Sequence, residues 1–115
     1  MEGLKRAGPA LRYSLAGLGA AFRHEAAFRQ EVLLALILVP TALLLPVSAL
    51  GKALMIASVL LVLIVELINS AIEASIDRVS LENHPLAKRA KDLGSAAVFM
   101  SLVNAVIIWL LVLLG

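Results

Sequence analysis

Cysteine is absent from this 115-residue sequence, charged residues make up only 16% of it and aromatic residues only 4%. Without cysteine, a disulfide framework, a thiolate nucleophile and a zinc–cysteine site are excluded. Charged residues normally make up about a quarter of a soluble domain. Hydrophobic residues reach 62% here and the mean hydropathy is +1.01. The composition therefore indicates one small integral membrane domain, and the net charge of only +2 argues against a basic nucleic-acid binder.

The motifs of common soluble enzymes are missing as well. The sequence contains no G-x-x-x-x-G-K-[ST] phosphate loop, no kinase-type glycine loop, no G-x-S-x-G nucleophile elbow and no H-E-x-x-H zinc motif. A soluble nucleotide-binding fold also does not fit into a chain of this length. Any catalytic chemistry must therefore come from the membrane segments and their ends.

Three apolar stretches are long enough to cross a membrane as helices. We predict transmembrane helices over about 30–50, 53–77 and 94–114, with a cytoplasmic loop over 78–93. Pro40 and Pro46 either kink the first of these helices or mark its outer end, because proline removes a backbone donor. Of the ten lysines and arginines, all but Lys52 fall on one side of these spans. The positive-inside rule therefore predicts a cytoplasmic N-terminus and a periplasmic C-terminus.

The residues before the first span are too polar to cross a membrane. Leu11, Leu15, Leu18 and Phe22 recur there at helical spacing. This pattern predicts an amphipathic helix over about 5–28 that lies in the membrane surface, and the alternative is a frayed leader helix. The predicted fold class is an all-α integral membrane protein with three transmembrane helices plus this N-terminal amphipathic surface helix.

The second span carries a polar stripe. At about 100° per residue, five polar residues share one helix face: Glu66, Asn69, Ser70, Glu73 and Asp77. Two carboxylates inside a membrane helix are costly, which favours a functional site over a pair of protonated glutamates that bridges helices. Glu73 lies about one turn below the headgroups and Glu66 about 10 Å deeper. The shallow carboxylate suits a metal nucleotide, and the deep one suits a general base near the reacting group of a lipid.

Two further polar clusters flank the spans on the cytoplasmic side. Glu25 either pairs with Arg29 four residues on or joins Glu73 in holding a divalent ion such as Mg²⁺. The charged segment over 82–92 is either a topology anchor beside anionic lipid or a cradle for nucleotide phosphates. In the cradle, Lys91 is the counter-charge and Asp92 orients it or a ligand group. Tyr13 and Trp109, taken alone, more plausibly mark interface depth or packing.

Three sequence blocks resemble motifs of the prokaryotic diacylglycerol kinase family. They are EAAFRQE at 25–31, ELINSAIE at 66–73 followed by Asp77, and AKDLGSAAV at 90–98. The resemblance covers nearly the whole chain and is stronger to the proteobacterial branch than to undecaprenol kinases. It implies a homotrimeric inner-membrane enzyme that uses Mg²⁺ and transfers the γ-phosphate of ATP to diacylglycerol, giving phosphatidic acid. It also implies that the sites are shared between neighbouring subunits.

The resemblance further implies roles for individual residues. It places the catalytic base at Glu66 and Mg²⁺-ATP coordination at Glu25 and Glu73. Other positions that match the nucleotide site are Arg6, Tyr13, Asn69, Glu82, His84, Lys91 and Asp92. Positions that match the lipid substrate site, besides Glu66, are Ser14, Phe28, Arg29, Gln30, Glu31, Ser95 and Trp109. Asn83 and Pro85 stand where some close members carry an aromatic residue and a carboxylate.

Three other functions remain open at this point. Undecaprenol kinase activity is the same chemistry with a longer polyprenol acceptor. A small proton-coupled exporter explains an intramembrane Glu66, but it leaves Glu25, Glu73 and the basic segment without a task. A catalytically silent scaffold subunit tolerates loss of all three glutamates. Transfer from ATP to a lipid separates both kinases from the exporter and the scaffold.

Overall fold

The computed structural model describes residues 2–79 and 85–115, which form four helices and short connections. The helices are α1 (Glu2–His24), α2 (Ala26–Leu44), α3 (Ala49–Val79) and α4 (Pro85–Leu114). Three helices are long and apolar enough to cross a membrane, over Ala26–Leu44, Ala49–Arg78 and Pro85–Leu114. The predicted all-α fold, with three candidate spans after an N-terminal helix, is confirmed.

The break between α1 and α2 falls at Glu25. This residue has extended backbone angles of φ −112° and ψ 106°, so α1 ends before it rather than at about residue 28. The guanidinium group of Arg29 donates hydrogen bonds to Phe22 O at 2.8 Å and to Arg23 O at 3.3 Å. These are carbonyls of the last turn of α1, which have no partner within the helix. Arg29 thereby ties the first turn of α2 to the end of α1.

Proline sets the outer end of α2. Leu45 is extended, with φ −71° and ψ 147°, because the ring of Pro46 disfavours helical angles in the preceding residue. Pro46 therefore marks the C-terminal end of this helix, whereas Pro40 lies inside it. Lys52 Nζ donates to Leu43 O at 2.7 Å and so satisfies a carbonyl that the helix end leaves open.

The predicted cytoplasmic loop over 78–93 differs from the structure at both described ends. α3 continues to Val79, and α4 begins at Pro85 rather than near residue 94. Proline suits a first helical turn, where its missing N–H costs no hydrogen bond. Lys88 Nζ pairs with Asp92 Oδ2 at 2.7 Å, which supports the helix at i,i+4 spacing. A run of apolar residues indicates only the part of a helix that lies in the hydrocarbon core. The N-terminal part of α4 extends beyond that run, so the prediction placed the start of this helix too late.

α3 is the central helix and packs against α2 and α4, while α1 packs against α2. In the outer half, Trp109 Nε1 donates to Met55 O and to Ser58 Oγ, both at 3.2 Å. This contact joins α4 to α3. The outward faces carry large apolar side chains, such as Leu36 and Leu111, which are 66% and 69% exposed on the single chain. Such faces suit lipid or a second protein surface.

Candidate active site

Four glutamates from α2, α3 and the turn before α2 come together near the N-terminal end of α2 and the C-terminal half of α3. We call Glu25, Glu31, Glu66 and Glu73 the carboxylate cluster. Glu66 is 6% exposed, its carboxyl group interacts directly with that of Glu31, and it lies within electrostatic range of Glu73 and Glu25. The structure thus brings together three residues of the predicted nucleotide, metal and catalytic set, and adds one that was predicted to contact lipid.

The cluster concentrates negative charge, and among the described residues the nearby cation Lys91 is paired with Asp77. Within residues 2–79 and 85–115, no lysine or arginine forms an ion pair with any of the four carboxyl groups. Glu31 Oε2 is buried and has no hydrogen-bond partner. Carboxylate oxygens are the ligands of hard divalent cations such as Mg²⁺, which usually take one or two carboxylates together with phosphate oxygens. The donor chemistry therefore fits the expected metal, although the described residues contain no group of three or more ligands arranged to hold an ion by themselves.

Asn69 connects the cluster to α4. Its side chain is in the buried part of α3, at 8% exposed, and its Nδ2 donates to Glu73 Oε1 at 3.4 Å. Its Oδ1 is buried without a hydrogen-bond partner and lies against Gly94 of α4. Asn69 was predicted to contact the nucleotide, and in this structure its amide group holds the carboxylate of Glu73.

Lys91 is held by a residue that the sequence analysis left out of the predicted site. Lys91 Nζ lies 2.6 Å from Asp77 Oδ1, so Asp77 orients Lys91. Asp92, which was predicted to orient Lys91 or a ligand group, pairs with Lys88 in this structure. The reason is geometric, since adjacent residues of a helix point about 100° apart and do not face each other. The signal for Asp77 was its place on the polar stripe of α3, four residues after Glu73.

A groove of about 660 Å³ lies between α1 and α3. Its polar lining comes from Ser14 and His24 of α1, from Glu25, and from Ser70 of the polar stripe. Ser14 Oγ donates to Ala10 O of its own helix at 2.9 Å. The groove leads to one member of the carboxylate cluster, Glu25, and the sequence analysis missed His24 and Ser70 as its neighbours.

A second groove, of about 520 Å³, lies where α1, α2 and α3 meet. We call it the apolar groove. Its lining has no charged or polar side chain and consists of Leu18, Gly19, Phe22, Phe28, Val32, Leu60, Leu63, Ile64 and Leu67. Phe28, one of the predicted lipid contacts, is 3% exposed within it. A cleft of this lining suits a hydrocarbon chain.

Several predicted site residues are not gathered at the carboxylate cluster in this chain. Arg6 and Tyr13 line a groove formed by α1 alone. Gln30 and Ser95 are exposed. The indole Nε1 of Trp109 donates a hydrogen bond to Ser58 Oγ. Ser58 lies eight residues, or about 12 Å, along α3 from Glu66. Three further positions, Glu82, Asn83 and His84, lie outside the described residues.

Comparison with known proteins gives one consistent result. The family model described as prokaryotic diacylglycerol kinase matches residues 12–113. A protein of Pseudomonas aeruginosa named diacylglycerol kinase is 63% identical over 113 residues, which are 98% of this chain and 92% of that protein. A protein of the same name from Escherichia coli K12 is 50% identical over 96% of this chain and 91% of its own length. Another, from Helicobacter pylori 26695, is 45% identical over 94% of this chain and 84% of its own length. The resemblance found in the sequence motifs is confirmed, and the chain belongs to the prokaryotic diacylglycerol kinase family.

Proposed function

We propose that this protein is an ATP-dependent diacylglycerol kinase that forms phosphatidic acid by direct transfer from Mg²⁺-ATP at the cytoplasmic membrane interface. The observation that carries the proposal is the carboxylate cluster, in which a buried Glu66 lies beside three other glutamates. Family membership and the names of the relatives support diacylglycerol as the acceptor. An exporter would leave Glu25 and Glu73 without a task.

Glu66 is the proposed general base. In the transfer, the lipid hydroxyl oxygen bonds to the γ-phosphorus while the bond from that phosphorus to the β–γ bridging oxygen breaks. The hydroxyl proton passes to the Glu66 carboxylate, and ADP leaves. The burial of Glu66 supports this role, because a base shielded from water is positioned for one substrate proton. Phosphoryl transfer depends mainly on positioning and electrostatics, which a small helix bundle can supply.

Glu25 and Glu73 are the proposed ligands of Mg²⁺. When bound, Mg²⁺ neutralises charge on the β- and γ-phosphates. Asn69 orients Glu73, and Lys91 adds positive charge near Glu73. The remaining proposed nucleotide contacts are Arg6, Tyr13, Glu82, His84 and Asp92.

The apolar groove is the proposed site of an acyl chain of the lipid substrate. Phe28 lines this groove, and Glu31, three residues on in α2, interacts with Glu66. A lipid that occupies the groove would therefore direct its polar end toward the proposed base. The other proposed contacts of the polar end are Ser14, Arg29, Gln30 and Ser95.

The proposed assembly is a homotrimer in the bacterial inner membrane, with sites shared between subunits. The apolar outward faces of the single chain support association. Arg6 and Tyr13 line a groove formed by α1 alone, and Gln30 and Ser95 are exposed on the single chain, as residues that serve a neighbouring subunit would be. Light scattering on the protein in micelles, corrected for bound detergent, is expected to give three copies.

The test is transfer of radiolabelled phosphate from Mg²⁺-ATP to diacylglycerol and to undecaprenol, measured side by side in lipid-containing micelles. We expect diacylglycerol to be labelled preferentially. Glu66→Gln should lower turnover about 10²- to 10⁴-fold, the usual contribution of a general base. Glu73→Gln should chiefly raise the KM for Mg²⁺-ATP.

The control is Ser75→Ala, since the Ser75 hydroxyl is exposed and donates to Ala71 O of its own helix. This variant should retain activity. Near-normal turnover of Glu66→Gln would contradict the base assignment. Preferential labelling of undecaprenol would correct the acceptor, and no transfer to either lipid by folded protein would overturn the proposed function.

A further inference from the structure

Gly94 of α4 lies directly against the side chain of Asn69 of α3. Gly94 is buried, and a Cβ atom added to it would meet Oδ1, Cγ and Cβ of Asn69, with Oδ1 closer than real Cβ atoms come. The helix backbone can therefore approach Asn69 only because residue 94 has no side chain. This close contact sits one helical turn from Glu73 on α3.

The amide of Asn69 is fixed from both sides. Its Nδ2 donates to Glu73 Oε1. Its Oδ1 lies close to the position that a Cβ of residue 94 would take. Turning the amide over would bring Oδ1 to the carboxylate of Glu73, and two acceptors repel each other. The amide therefore keeps the orientation in which Asn69 donates to Glu73, and the missing side chain at Gly94 leaves room for its Oδ1.

We propose that Gly94 is a positioning residue, which acts through Asn69 to hold the Glu73 carboxylate where Mg²⁺-nucleotide binds. The inference rests on the proposed function in assigning Glu73 to the metal. A methyl group at residue 94 would displace the Asn69 amide, and Glu73 would lose that donor. The effect should fall on the affinity for Mg²⁺-nucleotide more than on turnover at saturation.

The direct test is Gly94→Ala, with binding of Mg²⁺ plus a non-hydrolysable ATP analogue measured by calorimetry in lipid-containing micelles. We expect affinity to fall about three- to tenfold, as for loss of one ordinary hydrogen bond, because the distance of 3.4 Å from Nδ2 to Glu73 Oε1 is long for a bond to a carboxylate. The KM for Mg²⁺-ATP should rise by a similar factor. The matched control is Gly51→Ala, whose Cβ would lie 3.0 Å from Val112 Cγ1 at the outer end of the same helix pair. It should lower thermal stability and leave the affinity unchanged.

A double variant separates positioning from general packing. In an Asn69→Ala background the overlapping amide is gone, so Gly94→Ala should cause no further loss of affinity. If Gly94→Ala alone fails to fold, the double variant should recover folded protein with the affinity of Asn69→Ala. Three results would each overturn the inference. The first is unchanged affinity in Gly94→Ala, and the second is an equally large loss of affinity when Gly94→Ala is added to Asn69→Ala. The third is a double variant that stays unfolded. Failure of the proposed function is a separate result, because it shows as absence of lipid phosphorylation by the wild-type protein.

Discussion

At the scale of single residues, the pair formed by Lys91 and Asp77 joins the N-terminal part of α4 to the C-terminal end of α3. Both side chains are well exposed, at 43% and 64%, and exposed ion pairs contribute little to stability. The pair is better explained as an orienting contact, since Lys91 also lies within electrostatic range of Glu73. Its effect should therefore appear in nucleotide binding.

Asp77→Asn is expected to raise the KM for Mg²⁺-ATP about two- to fivefold, because Lys91 loses the carboxylate that orders it. The temperature of thermal inactivation should change little. Lys88→Gln is the control, since it removes the similarly exposed ion pair with Asp92 one turn away and should have a smaller effect on KM. An unchanged KM in Asp77→Asn would show that the pair does not orient Lys91 for the nucleotide.

At the scale of helices, the contact of Trp109 with Met55 and Ser58 joins α4 to α3 far from the carboxylate cluster. Ser58 is 2% exposed and its hydroxyl donates to Met55 O at 2.7 Å. The indole N–H therefore completes a small buried hydrogen-bonded group in an otherwise apolar interface. This placement gives Trp109 a packing role that the family resemblance did not suggest.

Trp109→Phe should destabilise the protein by about 1 kcal/mol, the usual net value of one hydrogen bond. Ser58→Ala removes part of the same contact from the α3 side and should have a similar effect. Thermal inactivation in micelles measures both. If Trp109 instead contacts the lipid substrate, Trp109→Phe will raise the KM for diacylglycerol while Ser58→Ala leaves it unchanged.

The sequence was sufficient to predict which helices form and which face of α3 carries the carboxylates. Both features repeat along one helix, so a period of 3.6 residues and the run of apolar residues reveal them. The sequence was insufficient to predict the contacts between helices, which are those of Gly94 with Asn69, Asp77 with Lys91 and Trp109 with Ser58. These contacts depend on how far one helix slides and turns against its neighbour, and no pattern within a single helix encodes that.

At the scale of the whole molecule, the distribution of cations predicts the orientation in the membrane. Lys52, in the first turn of α3, is the one lysine or arginine near the connection between α2 and α3, whereas the described start of α4 contains Lys88, Arg89 and Lys91. Since the sequence has no cysteine, single cysteines can be introduced as unique labels.

Ala49→Cys should react with a membrane-impermeant maleimide in right-side-out vesicles, and Lys88→Cys should react only in inverted vesicles. The expectation follows from the positive-inside rule, and both positions are exposed in the structure. Labelling after detergent solubilisation controls for reactivity. The reverse pattern would place the carboxylate cluster on the outer side, away from cytoplasmic ATP.

The hydrogen-bonded position of Trp109 has a practical consequence, because the chain contains one tryptophan. Its intrinsic fluorescence reports a single place, the outer contact between α3 and α4. Separation of these helices would change the polarity around the indole and shift the emission, while events confined to the cytoplasmic ends would leave it unaltered. The protein thus carries a built-in optical probe that distinguishes opening of the bundle from rearrangement around the glutamates.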